Sequence, residues 1–544
     1  MATPNITLDP ITRIEGQLAV QAVAENGVIT DAWAVSKLFR GIEVVLRGRA
    51  PEDAFYVTQR MCGVCPTSHG HASSMAVEAV DPSFELPNGA RIVRNILEGA
   101  EWLHSHIFHF YALVALDYVN PAKALQANIA DTYALALEKG IATADFAAVQ
   151  ARLKKLVEGG DLSIFTNGWW GIDPLAHPEA ADELYNPDIP AELHLIGVSQ
   201  YLQGLEMQAT AAQIIAIIGG KFPMPMTSVA GGTAWMPRAD KLDDCLFRLK
   251  SVAAFVNNHM LPFTLAIAPY YERELSYGQG VKNFLSWGAF DRSTRRIEDR
   301  YLPGGFIKES AGLTNVNRPM IEHVTEDVTR AWYNKEDGNP VKRFTDGETD
   351  IVDDANFDLD LDAQYSWGKA PRYQRDAMEA GPLARILVAY MDQSSASNAT
   401  VREVVNGALA ALGTDDPTVL ISTLGRVAAR NLETAVAAKW AEEWIEELVV
   451  ELRTNRADFW TSYSSGSGSG TGVWEAPRGA LAHHVKTANG RITDYQIVTP
   501  STWILSPKSE DGAPGPLEAA LIGTPVADIE RPIEAARVIR SFDP

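Results

Sequence analysis

The sequence predicts a mainly α-helical protein with small β additions, and three observations carry that reading. Apolar residues recur at i, i+3, i+4 and i+7 through residues 90–118, 191–218, 238–260 and 423–454, the spacing that lays an apolar stripe along a helix. Several long amphipathic helices in one chain pack best as a bundle core. The opening segment to Trp33 instead alternates, "QLAVQAVAENGVITDAWAV", around Asn26-Gly27, a strong hairpin signal. Between about Leu302 and Arg372 the composition turns acidic and rich in turn formers, as in "DGETDIVDDANFDLDLDAQYSWGKAPRY". That stretch reads as an α+β excursion of loops and short strands on the surface of one multi-lobed domain spanning 1–544.

Composition sets the outer limits. The chain has 544 residues, 46% of them hydrophobic, and a formal charge of −22. Such a surface repels phosphates, which argues against nucleic acid and anionic membranes as partners. Three cysteines cannot form a disulfide framework. Cys245, in "DKLDDCLFRLKS", reads as a buried thiol at helical spacing. The N-terminus lacks the basic and apolar regions of a secretory signal, and no stretch reads as a membrane span. The expectation is a soluble, cytoplasmic chain that reaches a membrane only through partners.

Chemistry concentrates in "RMCGVCPTSHG", which holds Cys62, Cys65 and His69. C-x-x-C serves structural zinc, redox dithiols or half of a catalytic metal site. No second C-x-x-C exists, so a complete zinc ribbon is excluded, and the long helical context is wrong for a thioredoxin fold. Two thiolates at this spacing can chelate one soft metal or bridge two. His69 could hydrogen-bond a metal-bound sulfur. "SSGSGSGTG", Ser464 to Gly472, is either a flexible linker or a glycine-rich run packed where something needs backbone access. The "VWEAPRGALAHH" that follows favours the second. His104, His106 and His109 do not share one helix face, so they read as core or partner-facing residues and not as a zinc site.

"RMCGVCPTSHG" resembles the N-terminal metal motif of the nickel–iron hydrogenase large subunit, R-x-C-G-x-C-x-x-x-H. "LDPITRIEG", "LFRGIEVVLRGRAPEDAFYVTQR", "LVALDYVNP", "GGKFPMPMTSVAGG", "WEAPRGALAHH", "YQIVTPSTWILSP" and the closing "SFDP" are similar to further blocks in the family's order. The resemblance spans nearly the whole chain. It implies the long-helix bundle of that subunit, a nickel and an iron ion with CO and cyanide on the iron, magnesium, H2 as substrate, and an iron–sulfur small subunit as partner. Maturation proteins and a higher oligomer of heterodimers are expected with it.

The resemblance also implies roles. Cys62 would be a terminal nickel ligand and Cys65 a bridge between nickel and iron. Glu15 would relay the proton released on heterolytic cleavage of H2, although Gln17 stands where the family usually has histidine. Glu43 would ligate magnesium. Arg478 would lie over the open face of the metals, with Pro477, Asp117 and Asp543 completing that canopy. Met224 and Met226 stand where the family often has histidine, which bears on local packing. Read without the resemblance, Glu15 is a surface strand residue, Glu43 an exposed helix charge, Asp117 a helix cap and Arg478 a surface ion pair.

The family's second metal motif, D-P-C-x-x-C-x-x-H, opens with the Asp-Pro found at Asp543 and Pro544, and its two cysteines and histidine do not appear in the 544 residues. Family trimming after the histidine does not account for this, so the expectation is a sequence cut short of an active subunit. By themselves Cys62 and Cys65 leave nickel under-coordinated. The competing reading is a non-catalytic relative of the complex I quinone-site type or a metal-free precursor. Cys62, Cys65 and Arg478 argue against it.

Overall fold

The computed structural model describes residues 3–544 except 161–184, 294, 336–337, 348, 352–358, 395–397 and 455–457. The four expected helical stretches are α2 (Asn88–Phe108), α3 (Ala191–Gly219), α4 (Ala239–Phe255) and α6 (Thr423–Thr454). Preceding them is α1 (Pro66–Glu78), and α5 (Pro382–Met391) and α7 (Ile533–Phe542) complete the set that frames the site. Helix α2 packs against both α3 and α6, and α4 packs on the same pair. α2 does not run unbroken to residue 118. It widens into a π turn at His109–Val114 and tightens into a 3₁₀ turn at Ala115–Asp117.

No stretch of the sequence is expected to read as a membrane span, yet the run Ala239–Leu275, which begins with α4, is long and apolar enough to cross a membrane by length and composition. Its apolar residues Leu242, Leu249, Val252, Val256 and Met260 are buried in the main core, so protein covers them. Cys245 belongs to that face, and burial pushes its thiol up to about 12.

The N-terminal strands β1 (Ile6–Leu8), β2 (Leu18–Glu25) and β3 (Val28–Ser36) form an antiparallel sheet in that order. Glu25 pairs with Val28 across Asn26-Gly27, whose φ values of 52° and 76° are those of a two-residue turn. The sheet packs its apolar face on α7, with Leu18 and Val20 sharing a cluster with Val538 and Ile539. Strands β4 (Phe284–Asp291) and β5 (Arg300–Ile307) pair with each other. Strands β6 (Val324–Asp327), β7 (Val341–Arg343) and β8 (Ala370–Tyr373) form a sheet in the order β7-β6-β8.

The stretch expected as a surface excursion is therefore rooted inside. Leu302 and Ile307 lie in the main core, and Glu326 and Lys369 are buried. Part of its acidic run, 352–358, lies outside the described residues. Last come β9 (Gly468–Ala476), β10 (Gly479–Ala488) and β11 (Arg491–Val498), ordered β11-β10-β9.

Candidate metal centre

Cys62 follows a 3₁₀ turn, and Cys65 stands just before Pro66, the first residue of α1. The Cys65 backbone N–H donates to Cys62 Sγ at 3.0 Å, so one turn presents both sulfurs. Both are buried. Hydrogen bonding from Cys65 and the nearby Arg478 charge hold the Cys62 thiol below its usual range. Its role as donor to Cys62, together with burial, pushes Cys65 well above it.

Pro at the first position suits the start of α1, but Cys65 offers no side-chain cap. Glu101 of α2 supplies one. Its carboxylate accepts from the backbone N–H of Thr67 (2.7 Å) and Ser68 (3.1 Å) and from Ser68 Oγ (2.6 Å), placing an acid at the positive helix end. Behind α1 lies the glycine-rich run, whose second half, from Gly468, opens strand β9 and packs as structure and not as a linker. A Cβ at Gly472 would stand 2.2 Å from Ala72 O, and one at Gly470 2.2 Å from Ala76 O. The glycines let strand backbone lie directly on helix backbone.

Opposite stands Arg478, in the two-residue connection Pro477-Arg478 between β9 and β10. Arg478 Nη2 lies 2.9 Å from Asp543 Oδ1, and Asp543 Oδ2 lies 3.1 Å from Arg430 Nη1 of α6. Burial works against the Arg478 charge, but Asp543 and the two thiols outweigh it and hold the guanidinium protonated. Burial likewise opposes charge on Asp543, and Arg478 with its neighbours keeps that carboxyl below its usual range. Pro477 is buried in the turn, and its carbonyl accepts from Arg385 at 2.8 Å.

Between these walls is a cavity of about 260 Å³ lined by Glu15, Glu43, Cys62, Cys65, His69 and Arg478, among others. Glu15 is exposed at its mouth. Glu15 Oε1 accepts from Gly63 N at 3.1 Å and stands 3.9 Å from Cys62 Sγ, while its own N–H donates to Pro544 O at 3.1 Å. His69 Nδ1 lies 3.2 Å from His483 Nε2, and His483 Nδ1 lies 2.9 Å from Tyr495 Oη. Burial lowers His69 to about 3. Glu43 accepts from Ile497 N (2.7 Å) and from the Thr349 hydroxyl. Nearby, Lys369 Nζ donates to Glu326 (3.3 Å) and Gln496 (3.2 Å).

One expected canopy residue is elsewhere. Asp117 pairs with Arg13 and Arg540, the latter at 3.0 Å. It lies twelve residues beyond Ser105, about 18 Å along a regular helix, and past the π turn. Ser105, in "LHSHIF", is the α2 residue beside Arg478, whose Nη1 donates to its hydroxyl at 3.5 Å. The histidines near Ser105 are core residues with separate partners. His104 meets Gln208 O at 3.1 Å, His106 meets Glu433 at 3.0 Å, and His109 meets Arg540 O at 2.8 Å. Met224 packs its sulfur on the Arg60 guanidinium.

Sequence reasoning also missed Glu101, Arg385 and Arg430. Each is an ionisable residue buried within a helix, and such a residue needs a buried partner.

The residues present fit part of a soft redox metal centre, since among the described residues no group of three or more His, Cys, Asp or Glu gathers to hold a metal ion. Cys62 and Cys65 supply two of its donors. Arg478 Nη2 is taken by Asp543, while its buried Nε has no hydrogen-bond acceptor, which leaves a donor for a small, charge-bearing ligand. The sequence profile of the nickel-dependent hydrogenases matches residues 40–544.

The chain belongs to that family.

The hydrogenase-2 large chain of Escherichia coli K12 is 35% identical over 99% of this chain and 95% of its own. The quinone-reactive Ni/Fe-hydrogenase large chain of Wolinella succinogenes is 36% identical over 100% and 95%. Among solved structures, the reduced Ni-Fe-Se hydrogenase of D. vulgaris Hildenborough superposes with a TM-score of 0.78 at 31% identity, covering 99% of this chain and 98% of that one. The protein is a hydrogenase large chain, an oxidoreductase of H2 metabolism built on the large-subunit fold. Neither the quinone-site reading nor the metal-free one is favoured.

Proposed function

We propose that the cavity holds a nickel–iron centre with CO and cyanide on the iron, and that the enzyme works in the direction of H2 uptake. When bound, the centre supplies heterolytic cleavage of H2, retaining the electron pair and releasing a proton. Cys62 and Cys65 would hold the metals through their two sulfurs, presented by one turn. Glu15 takes the proton at Oε1 and passes it toward the cavity mouth. Arg478 would offer its unsatisfied Nε to cyanide, and its charge favours negative charge in the pocket. Asp543 and Arg430 hold it in place, and Ser105 meets its outer nitrogen. His69, fixed in orientation by His483, supports a ligand sulfur. Glu43, with Lys369, Glu326 and Gln496 around it, belongs to a magnesium site.

An iron–sulfur small subunit takes the electrons. Leu38, Val44 and Val45, 42%, 44% and 45% exposed close to the cavity mouth, suit burial beneath such a partner. Maturation proteins load the metals, and heterodimers assemble further. The complex is cytoplasmic or attached to a membrane through partners, a reading supported by the quinone-reactive relative.

The observation that carries the reading is the Glu15 carboxylate 3.9 Å from Cys62 Sγ, on a cavity that Arg478 closes from the other side. Glu15→Gln keeps the Gly63 contact but cannot take a proton. Its H2 oxidation rate should fall by about 10²-fold or more, while nickel content and the infrared bands of CO and cyanide stay as in the parent enzyme. An unchanged rate would overturn the proton role. A loaded parent enzyme without those bands would overturn the centre.

A further inference from the structure

We propose that Arg385 is a positioning residue that fixes where Arg478 stands over the cavity. The inference rests on the role of Arg478 given above. Arg385 projects from α5 and is fully buried. Its Nε and Nη2 donate to Glu433 Oε1 and Oε2, each at 2.7 Å. Nη1 donates to Glu475 Oε2 at 2.8 Å and to Ala476 O at 2.9 Å, and Nη2 also reaches Pro477 O at 2.8 Å. The guanidinium thus grips the two carbonyls that immediately precede Arg478. Its plane lies 4.2 Å from the ring centre of Trp102, which stops it from tilting.

The same turn is seated from below by the start of α5. Gly479 has φ 136°, and a Cβ there would stand 2.6 Å from Gly381 N. Main chain therefore meets main chain, with Arg385 one helical turn further on. Helix α6 completes the arrangement. Arg430 braces the Arg478 side chain through Asp543. Glu433, three residues later and on the same face, braces the Arg478 backbone through Arg385. Both ends of Arg478 are thereby referred to one rigid strut.

A lysine can neutralise Glu433 or Glu475, but its single ammonium cannot span two carboxylates and two carbonyls as a planar fork does. Arg385→Lys therefore separates positioning from charge balance. In the nickel-loaded heterodimer its turnover should fall about 10²-fold, as expected when a reacting group is displaced by about 1 Å, with the KM for H2 unchanged. A crystal structure should show the Arg478 guanidinium shifted from Asp543 and the Cys62–Cys65 turn unmoved. Because the effect passes through Arg478, adding R385K to R478K should cost less than about threefold further. Parent-like turnover in loaded R385K, or full multiplication of the two losses, would overturn the proposal.

Should R385K not accumulate, E475Q loosens the same clamp without leaving an unpaired charge. It should lose about tenfold in turnover with the same non-additivity, in line with changes to groups that orient a site from behind. Parent-like E475Q then overturns it. An unimpaired R478K would instead defeat the reading of Arg478, and this inference with it.

Discussion

On one side of the cavity, Gly470 and Gly472 of β9 lie against the backbone of α1 and set the height of the turn that carries Cys62 and Cys65. On the other side, Arg478 is held by Asp543, Arg430, Arg385, Glu433 and Glu475, a buried lattice of alternating charge. The thiol wall depends on close approach of main chains. The arginine wall depends on pairing, and any unpaired member would be costly in that interior. The two walls are continuous in sequence, since β9 runs from the glycines straight into Pro477-Arg478. One strand thus meets helix backbone at its start and charge at its end. A shape-held wall fixes ligand atoms that must not move. A charge-held wall keeps a cation oriented while leaving some of its donors available.

The largest effect that tests this contrast comes from the charged side. Arg478→Lys keeps the charge and loses the fork, so turnover should fall about 10²–10³-fold, while nickel content and the thermal midpoint stay near those of the parent. Next is Gly472→Ala. Its Cβ has no room beside Ala72 O, and the neighbouring atoms are backbone that cannot swing aside. Stability should drop by roughly 1–3 kcal/mol, read as a lower thermal midpoint, and nickel occupancy should drop with it. If R478K instead lost metal, or G472A lost only turnover, the division between the walls would fail.

The smallest effect is a pH slope. Burial lowers His69, on the thiol wall, to about 3. Burial also lowers His106, behind the arginine wall, but Glu433 limits the fall to about 4. In the unfolded chain both titrate near 6.5, so below that pH the unfolded state binds protons the folded state does not. Stability conferred above pH 6.5 is lost as pH falls, by about 1.4 kcal/mol per pH unit for each histidine. His69→Gln should flatten the acid limb down to about pH 3, and His106→Gln only to about pH 4. Chemical unfolding at stepped pH distinguishes them.

Much of the frame was legible because it obeys short-range periodicity. The extent of α6 follows from its apolar spacing, and Asn26-Gly27 announces its hairpin through the φ values it must adopt. Cys62 and Cys65 were legible because ligand chemistry restricts residue type and spacing. The glycine run was legible in kind, though not the helix it rests on. The failures involve partners distant in sequence. Asp117 looked like part of the canopy because it neighbours the right helix in sequence, yet a π turn and two arginines far along the chain take it elsewhere. Ser105 carries no signal of its own. Arg385 and Glu433 lie 48 residues apart, and no local pattern links a charge to its buried counter-charge.

Helix α7 docks on the opening sheet, and Arg540 Nε donates to Thr12 O across 528 positions of sequence. At about 5–20 residues per second, a ribosome needs roughly half a minute to two minutes to make the stretch between those two residues. Until Arg540 has been made, the bond that ties α7 to Thr12 is absent, so the opening sheet waits through that interval for the helix that covers its apolar face.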